Sequence, residues 1–220
     1  WGDFNNDGYF DIWSNNFKRE DDLFINPNSV AGINWDNSFN PFYLSATQDV
    51  VPVDYDGDGW LDMFTPGLIM AHENGVEDIE GYKYTSLLYK NTFNENGNSN
   101  NWLILDIEGC KIGTESDGWS FASNRSAIGT RVIIHLNDMN VSREIIAGKG
   151  HGSMDPLQLH FGLGLNSFVD GITVKWTSRD SLTNQRKISY FEDPIESNQS
   201  LRIVEDIGFV GKKGDVNIDG

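Results

Sequence analysis

The chain has 220 residues, enough for one large or two ordinary domains, and 38% hydrophobic with 12% aromatic content can fill a packed core. Its 16 basic and 33 acidic residues give a net charge of −17, which argues against nucleic-acid binding, since that needs a basic footprint. No apolar run of about 18 residues exists, so no membrane span is expected, and the single cysteine, Cys110, excludes an intrachain disulfide.

The acidity is uneven. Trp1–Asn100 carries 17 acids and 4 bases, whereas Asn101–Gly220 carries 16 acids and 12 bases. Two segments of the acidic half share one pattern, D-x-[DN]-x-D-G-x-x-D: Asp3 to Asp11 and Asp54 to Asp62. Oxygen side chains at every second position let a curled loop point them at one hard cation, and the glycine after the third oxygen permits the sharp turn. The expected calcium ligands are Asp3, Asn5, Asp7, the Tyr9 carbonyl and Asp11 in the first loop. In the second they are Asp54, Asp56, Asp58, the Trp60 carbonyl and Asp62. Magnesium suits this carboxylate-rich set less well. Neither loop is an EF-hand, because Ser14 and Thr65 stand where the closing glutamate would be. The alternative for any one such string is an ordinary Asp/Asn/Gly-rich surface turn.

Each loop runs into a short apolar stretch, a polar loop and a further strand-like phrase: Asp22-Leu23-Phe24-Ile25-Asn26, then Ser86-Leu87-Leu88-Tyr89-Lys90-Asn91. Asp3 and Asp54 lie 51 residues apart, a period that suggests β-propeller blades. Over Trp1–Asn96 these loops and phrases resemble FG-GAP/VCBS repeats, which implies calcium in the loops. The repeat region is read as residues 1–100, in two units of about 1–50 and 51–100. Two blades cannot close a propeller, so either this is a piece of a longer chain, or the two units pack against the sandwich, or neighbouring molecules cover the edges.

The second half is read as residues 101–207. Short β-branched or aromatic stretches at Trp102–Leu105, Arg131–Leu136, Arg143–Ala147, Leu157–Phe161, Gly171–Trp176 and Leu201–Val204 alternate with turn residues, which predicts an antiparallel β-sandwich. The whole chain is therefore expected to be all-β. Three phrases mark this half: Asn124 to Val132, Gly148 to Ser153, and His160-Phe161-Gly162-Leu163-Gly164. With Val174-Lys175-Trp176 they resemble the ASPIC/UnbV domain. That resemblance implies a secreted or cell-surface protein, because the domain commonly follows FG-GAP repeats in secreted proteins. The chain departs from the pattern at Lys111–Ser123 and at Trp176-Thr177-Ser178. Residues 208–220 are read as a linker with a partial calcium loop, Asp215, Asn217 and Asp219, which a further repeat or a dockerin-like module would complete.

No catalytic motif emerges. None of His72, His135, His151 and His160 belongs to H-E-x-x-H, and neither G-x-S-x-G nor a P-loop is present. His151 is the most site-like of the four. Trp119, in a predicted loop, is the candidate for stacking on a ligand, whereas Trp102 and Trp176 fit core positions. The chain is thus expected to be a non-catalytic, extracellular, calcium-binding structural or adhesion protein, with homo-oligomer or head-to-tail filament neighbours as partners. The alternatives are a carbohydrate-binding module of a larger secreted protein and, more weakly, a hydrolase-associated domain.

Overall fold

The computed structural model describes residues 1–14, 22–27, 36–39, 49–70, 82–110, 123–137, 139–149, 153–180 and 182–212. Trp119, His151, His72, Asp215, Asn217 and Asp219 lie outside them. Among the described residues every regular element is a strand. Trp1–Asn5, Tyr9–Asn98 and Gly148–Pro156 form one compact unit, and Asn6–Gly8, Ser99–Ala147 and Leu157–Gly220 form a second.

The first unit holds two three-stranded antiparallel sheets. One is β1 (Ile12–Ser14), β2 (Asp22–Ile25) and β3 (Asp36–Phe39); the other is β4 (Val51–Val53), β5 (Asp62–Met70) and β6 (Tyr82–Tyr89). Each central hairpin follows one of the acidic loops, and the registers correspond. Ile12 pairs with Phe24 and Met63 with Tyr89, in each case one residue after the closing aspartate and two before an asparagine. Internal repetition is therefore written into the strand pairing as well as the loops. Apolar residues of both sheets meet in one cluster of Phe4, Trp13, Leu23, Val50, Leu61 and Met63, with Tyr89 and Phe93 packed against it. Burying a side chain of this size stabilises by about 1.5–3 kcal/mol, so each three-stranded sheet gains a core that it could not build alone.

The second unit is a sandwich. Its elements are β7 (Asn101–Glu108), β8 (Arg131–His135), β9 (Asn140–Glu144), β10 (Leu159–Gly164), β11 (Phe168–Val169), β12 (Gly171–Arg179), β13 (Arg186–Phe191), β14 (Ile195–Glu196), β15 (Gln199–Val204) and β16 (Gly208–Lys212). One sheet has the order β10-β7-β15-β16 and the other β13-β12-β8-β9, while β11 and β14 form a small ribbon. Alternate residues of both sheets enter one core, including Leu103, Leu105, Phe161 and Ile203 from the first and Val132, Ile134, Val174 and Trp176 from the second. The indole N–H of fully buried Trp176 donates to Ser189 Oγ at 2.8 Å, so its polar atom is satisfied.

Three details differ from the sequence-based expectation. The sandwich is mixed, because β15 runs parallel to β7; β12 and β13 of the other sheet intervene before β15, and such a crossover permits parallel pairing. Residues 208–212 are not linker: β16 pairs antiparallel with β15. The edge strand β9 of the opposite sheet begins at Asn140 and ends at Glu144, rather than running from Arg143 to Ala147. Cys110 follows β7 and is buried, as its apolar neighbours suggest.

Candidate metal centre

The second acidic loop is folded by its own carboxylates. Asp54 Oδ1 accepts the N–H groups of Gly57 (2.8 Å) and Asp58 (3.1 Å), and Oδ2 accepts that of Gly59 (2.9 Å). Asp58 Oδ1 accepts the Trp60 N–H at 2.9 Å. Gly57 and Gly59 take φ values of 79° and 86°, a region closed to most side chains. A Cβ on Gly57 would touch nothing within 4 Å, so backbone freedom rather than space calls for glycine there. The outcome is that Asp54, Asp56 and Asp58 each bring one carboxylate oxygen to within 4.8 Å of the others. Among the described residues this is the acidic group that converges so closely.

A cation already faces the cluster. Lys90 Nζ lies 2.9 Å from Asp56 and 3.9 Å from Asp58. Its hydrogen bond holds the Asp56 carboxyl below the usual range, and the same contact raises the Lys90 ammonium. Burial pushes Asp54 up, with the Gly59 and Gly57 N–H groups opposing. Three hard oxygen donors from one tight loop fit a calcium ion, which takes 6–8 oxygen ligands; backbone carbonyls and water would supply the rest. They equally fit a self-capped Asp turn neutralised by lysine.

Asp62, expected to complete the metal shell, accepts two backbone N–H groups. Its Oδ2 accepts the Tyr55 N–H at 3.1 Å and its Oδ1 the Asn91 N–H at 2.7 Å. Asp11 repeats this bond for bond, taking the Phe4 N–H and the Asn26 N–H, both at 2.8 Å. Even the asparagine side chains correspond: Asn91 Nδ2 donates to the Leu61 carbonyl at 3.0 Å and Asn26 Nδ2 to the Phe10 carbonyl at 3.3 Å. Each closing aspartate is thus a buried latch joining the loop to the end of the neighbouring strand. Burial raises Asp62 to about 6 despite the two N–H donors.

In the first loop, Asp3 and Asp11 are buried, Asn5 half-buried and Tyr9 exposed within the first unit; Asp7 is half-buried within the second. Asn6 and Gly8 take positive φ, 56° and 95°, at the positions of Gly57 and Gly59. Asparagine tolerates this region, which explains why the first loop dispenses with one glycine. Trp60 is buried and thus unavailable for stacking. Asn26, Asn91 and Lys90 escaped the sequence-based assignment, although the two asparagines end the repeated phrases at equal offsets, which was the usable signal; Lys90 stands where the first phrase has Ile25.

No curated protein matches the chain. Residues 120–208, from the residues preceding β8 to the first residue of β16, match the family model ASPIC and UnbV.

Proposed function

We propose that the chain is a non-catalytic, calcium-stabilised extracellular module for adhesion or assembly, in which two FG-GAP/VCBS-like units precede the ASPIC/UnbV-type domain. The convergence of Asp54, Asp56 and Asp58 carries this reading; the repeated latch and the shared left-handed positions support two copies of one unit. Calcium would relieve the mutual repulsion of the three carboxylates and displace the Lys90 ammonium. Assembly is favoured by Phe64 and Leu88, cross-strand partners that are 38% and 49% exposed on the second sheet, where a further sheet could cover them.

Extracellular calcium modules bind on the order of 0.1–1 mM. At about 10 mM calcium, binding to the folded state alone would then add about 1.4–2.7 kcal/mol. The test is thermal unfolding of metal-free protein with calcium, with magnesium, and with EDTA. Calcium is expected to raise the melting temperature, and Asp56→Asn combined with Asp58→Asn to abolish the rise. An equal response to both metals, or none to either, refutes a calcium site. Sedimentation velocity in calcium tests assembly: a monomer at all concentrations refutes it.

A further inference from the structure

The outward face of the β13-β12-β8-β9 sheet carries Arg131, Lys175, Arg179 and Arg186 beside an exposed aromatic ring, against one carboxylate among the described residues, Glu144, which pairs with Arg131 at 2.9 Å. Along β12, Ile172, Val174, Trp176 and Ser178 are buried, so the alternate residues Thr173, Lys175, Thr177 and Arg179 point outward. Register places Lys175 between Arg131 and Ile188, and Thr173 between Ile133 and Tyr190. Arg179 sits directly opposite Arg186, an arrangement of like charges that destabilises a sheet. Among the described residues no carboxylate lies within ion-pair distance of Arg179, Arg186 or Lys175. Instead the guanidinium groups are braced on carbonyls, Arg179 on Asn184 (2.9 Å) and Arg186 on Gly129 (3.0 Å), with further N–H donors left over.

Beside these cations lies an exposed ring. Tyr190 is 55% exposed and meets His135 edge to face at 5.8 Å. His135 is itself fixed by Asn140 and Thr173, each at 2.7 Å. Ile188, two residues away on the same strand, is 60% exposed.

We propose that this face binds an acidic polysaccharide. Arg179, Arg186 and Lys175 would pair with its carboxylate or sulfate groups, while Tyr190 packs against the C–H face of a sugar ring. Charge complementarity supplies the attraction that the Arg179–Arg186 pairing lacks within the sheet. An extended acidic peptide would add along a sheet edge through its backbone, whereas these groups lie across the face. Duplex DNA carries one charge per about 1.7 Å and would suffer more repulsion from a chain of net charge −17 than a sparsely charged sugar polymer. At physiological salt, repulsion from charges farther away than about 8 Å is largely screened.

Biolayer interferometry on immobilised hyaluronan and chondroitin sulfate tests this, with neutral dextran and duplex DNA alongside, in physiological salt with calcium and again with EDTA. Retention on at least one acidic polysaccharide, in both buffers, and on neither control is expected. Lys175→Glu with Arg179→Glu should weaken binding about tenfold or more. Tyr190→Ala should weaken it about three- to tenfold, with a modest fall in melting temperature from the lost His135 contact and the protein folded at the assay temperature. If the double variant unfolds, Lys175→Ser, which disturbs no internal bond, replaces it with a smaller loss expected. No retention on either acidic polymer, equal retention on DNA, or indifference to Tyr190→Ala overturns the proposal. The face belongs to the second unit, so its failure is separable from a failure of calcium to stabilise the protein.

Discussion

Replacing Asn91 with alanine tests the latch at its most connected point. The side chain donates to the Phe4 carbonyl at 2.8 Å and the Leu61 carbonyl at 3.0 Å, and accepts the Phe93 N–H at 3.0 Å. Three bonds at about 0.5–1.5 kcal/mol each set a range of roughly 1.5–4.5 kcal/mol. The site is half-buried, so water can reach some of the orphaned groups, and about 2–3 kcal/mol is expected. Asn26→Ala is the internal control: its corresponding bond is 3.3 Å long and exposed, and should cost about 0.5 kcal/mol. Urea unfolding in EDTA, which removes any contribution from metal, reads both variants, with an unchanged m-value as the sign that the unfolded state is the same. Equal costs for the two asparagines, or a cost below about 0.5 kcal/mol for Asn91→Ala, would refute the claim that this asparagine ties the two repeats together.

Asp62 gives the metal-free protein a pH signature. Burial raises its carboxyl from 3.8 to about 6, so the folded state prefers the proton; the stability it contributes is fully present below pH 3.8 and is lost as pH rises through about 6. Urea midpoints in EDTA should fall across that window, and Asp62→Asn should flatten this component of the profile. In the second unit, Glu205 is fully buried and accepts the Cys110 and Ser123 N–H groups, both at 3.0 Å, and the Ser178 hydroxyl. Glu205→Gln keeps the shape but loses the charge-assisted bonds, and should cost about 2–3 kcal/mol by chemical denaturation. A cost under about 1 kcal/mol would mean that water or rearrangement satisfies those donors.

The two acidic loops were legible because their chemistry is local: alternating oxygens and a glycine fix the turn within nine residues. The task of the last aspartate was not, because its partners, Asn26 and Asn91, follow it by 15 and 29 residues and meet it only through strand register. The same limit explains the sandwich. Its apolar alternation predicted most strands, but β13 escaped because Ile188 and Tyr190 point outward while Lys187 and Ser189 face in. Parallel pairing of β7 with β15 is a long-range choice that no local pattern encodes.

The buried carboxylate of Glu205 has a consequence for how this domain tolerates change. One oxygen, Oε2, receives the N–H groups of both Cys110 and Ser123, so two chain positions are pinned to a single atom. Whatever joins those two residues, the stem is fixed by the same pair of bonds. A longer connection there costs only the entropy of closure, about 0.6 kcal/mol per doubling of length. A single substitution at Glu205 therefore releases both positions at once.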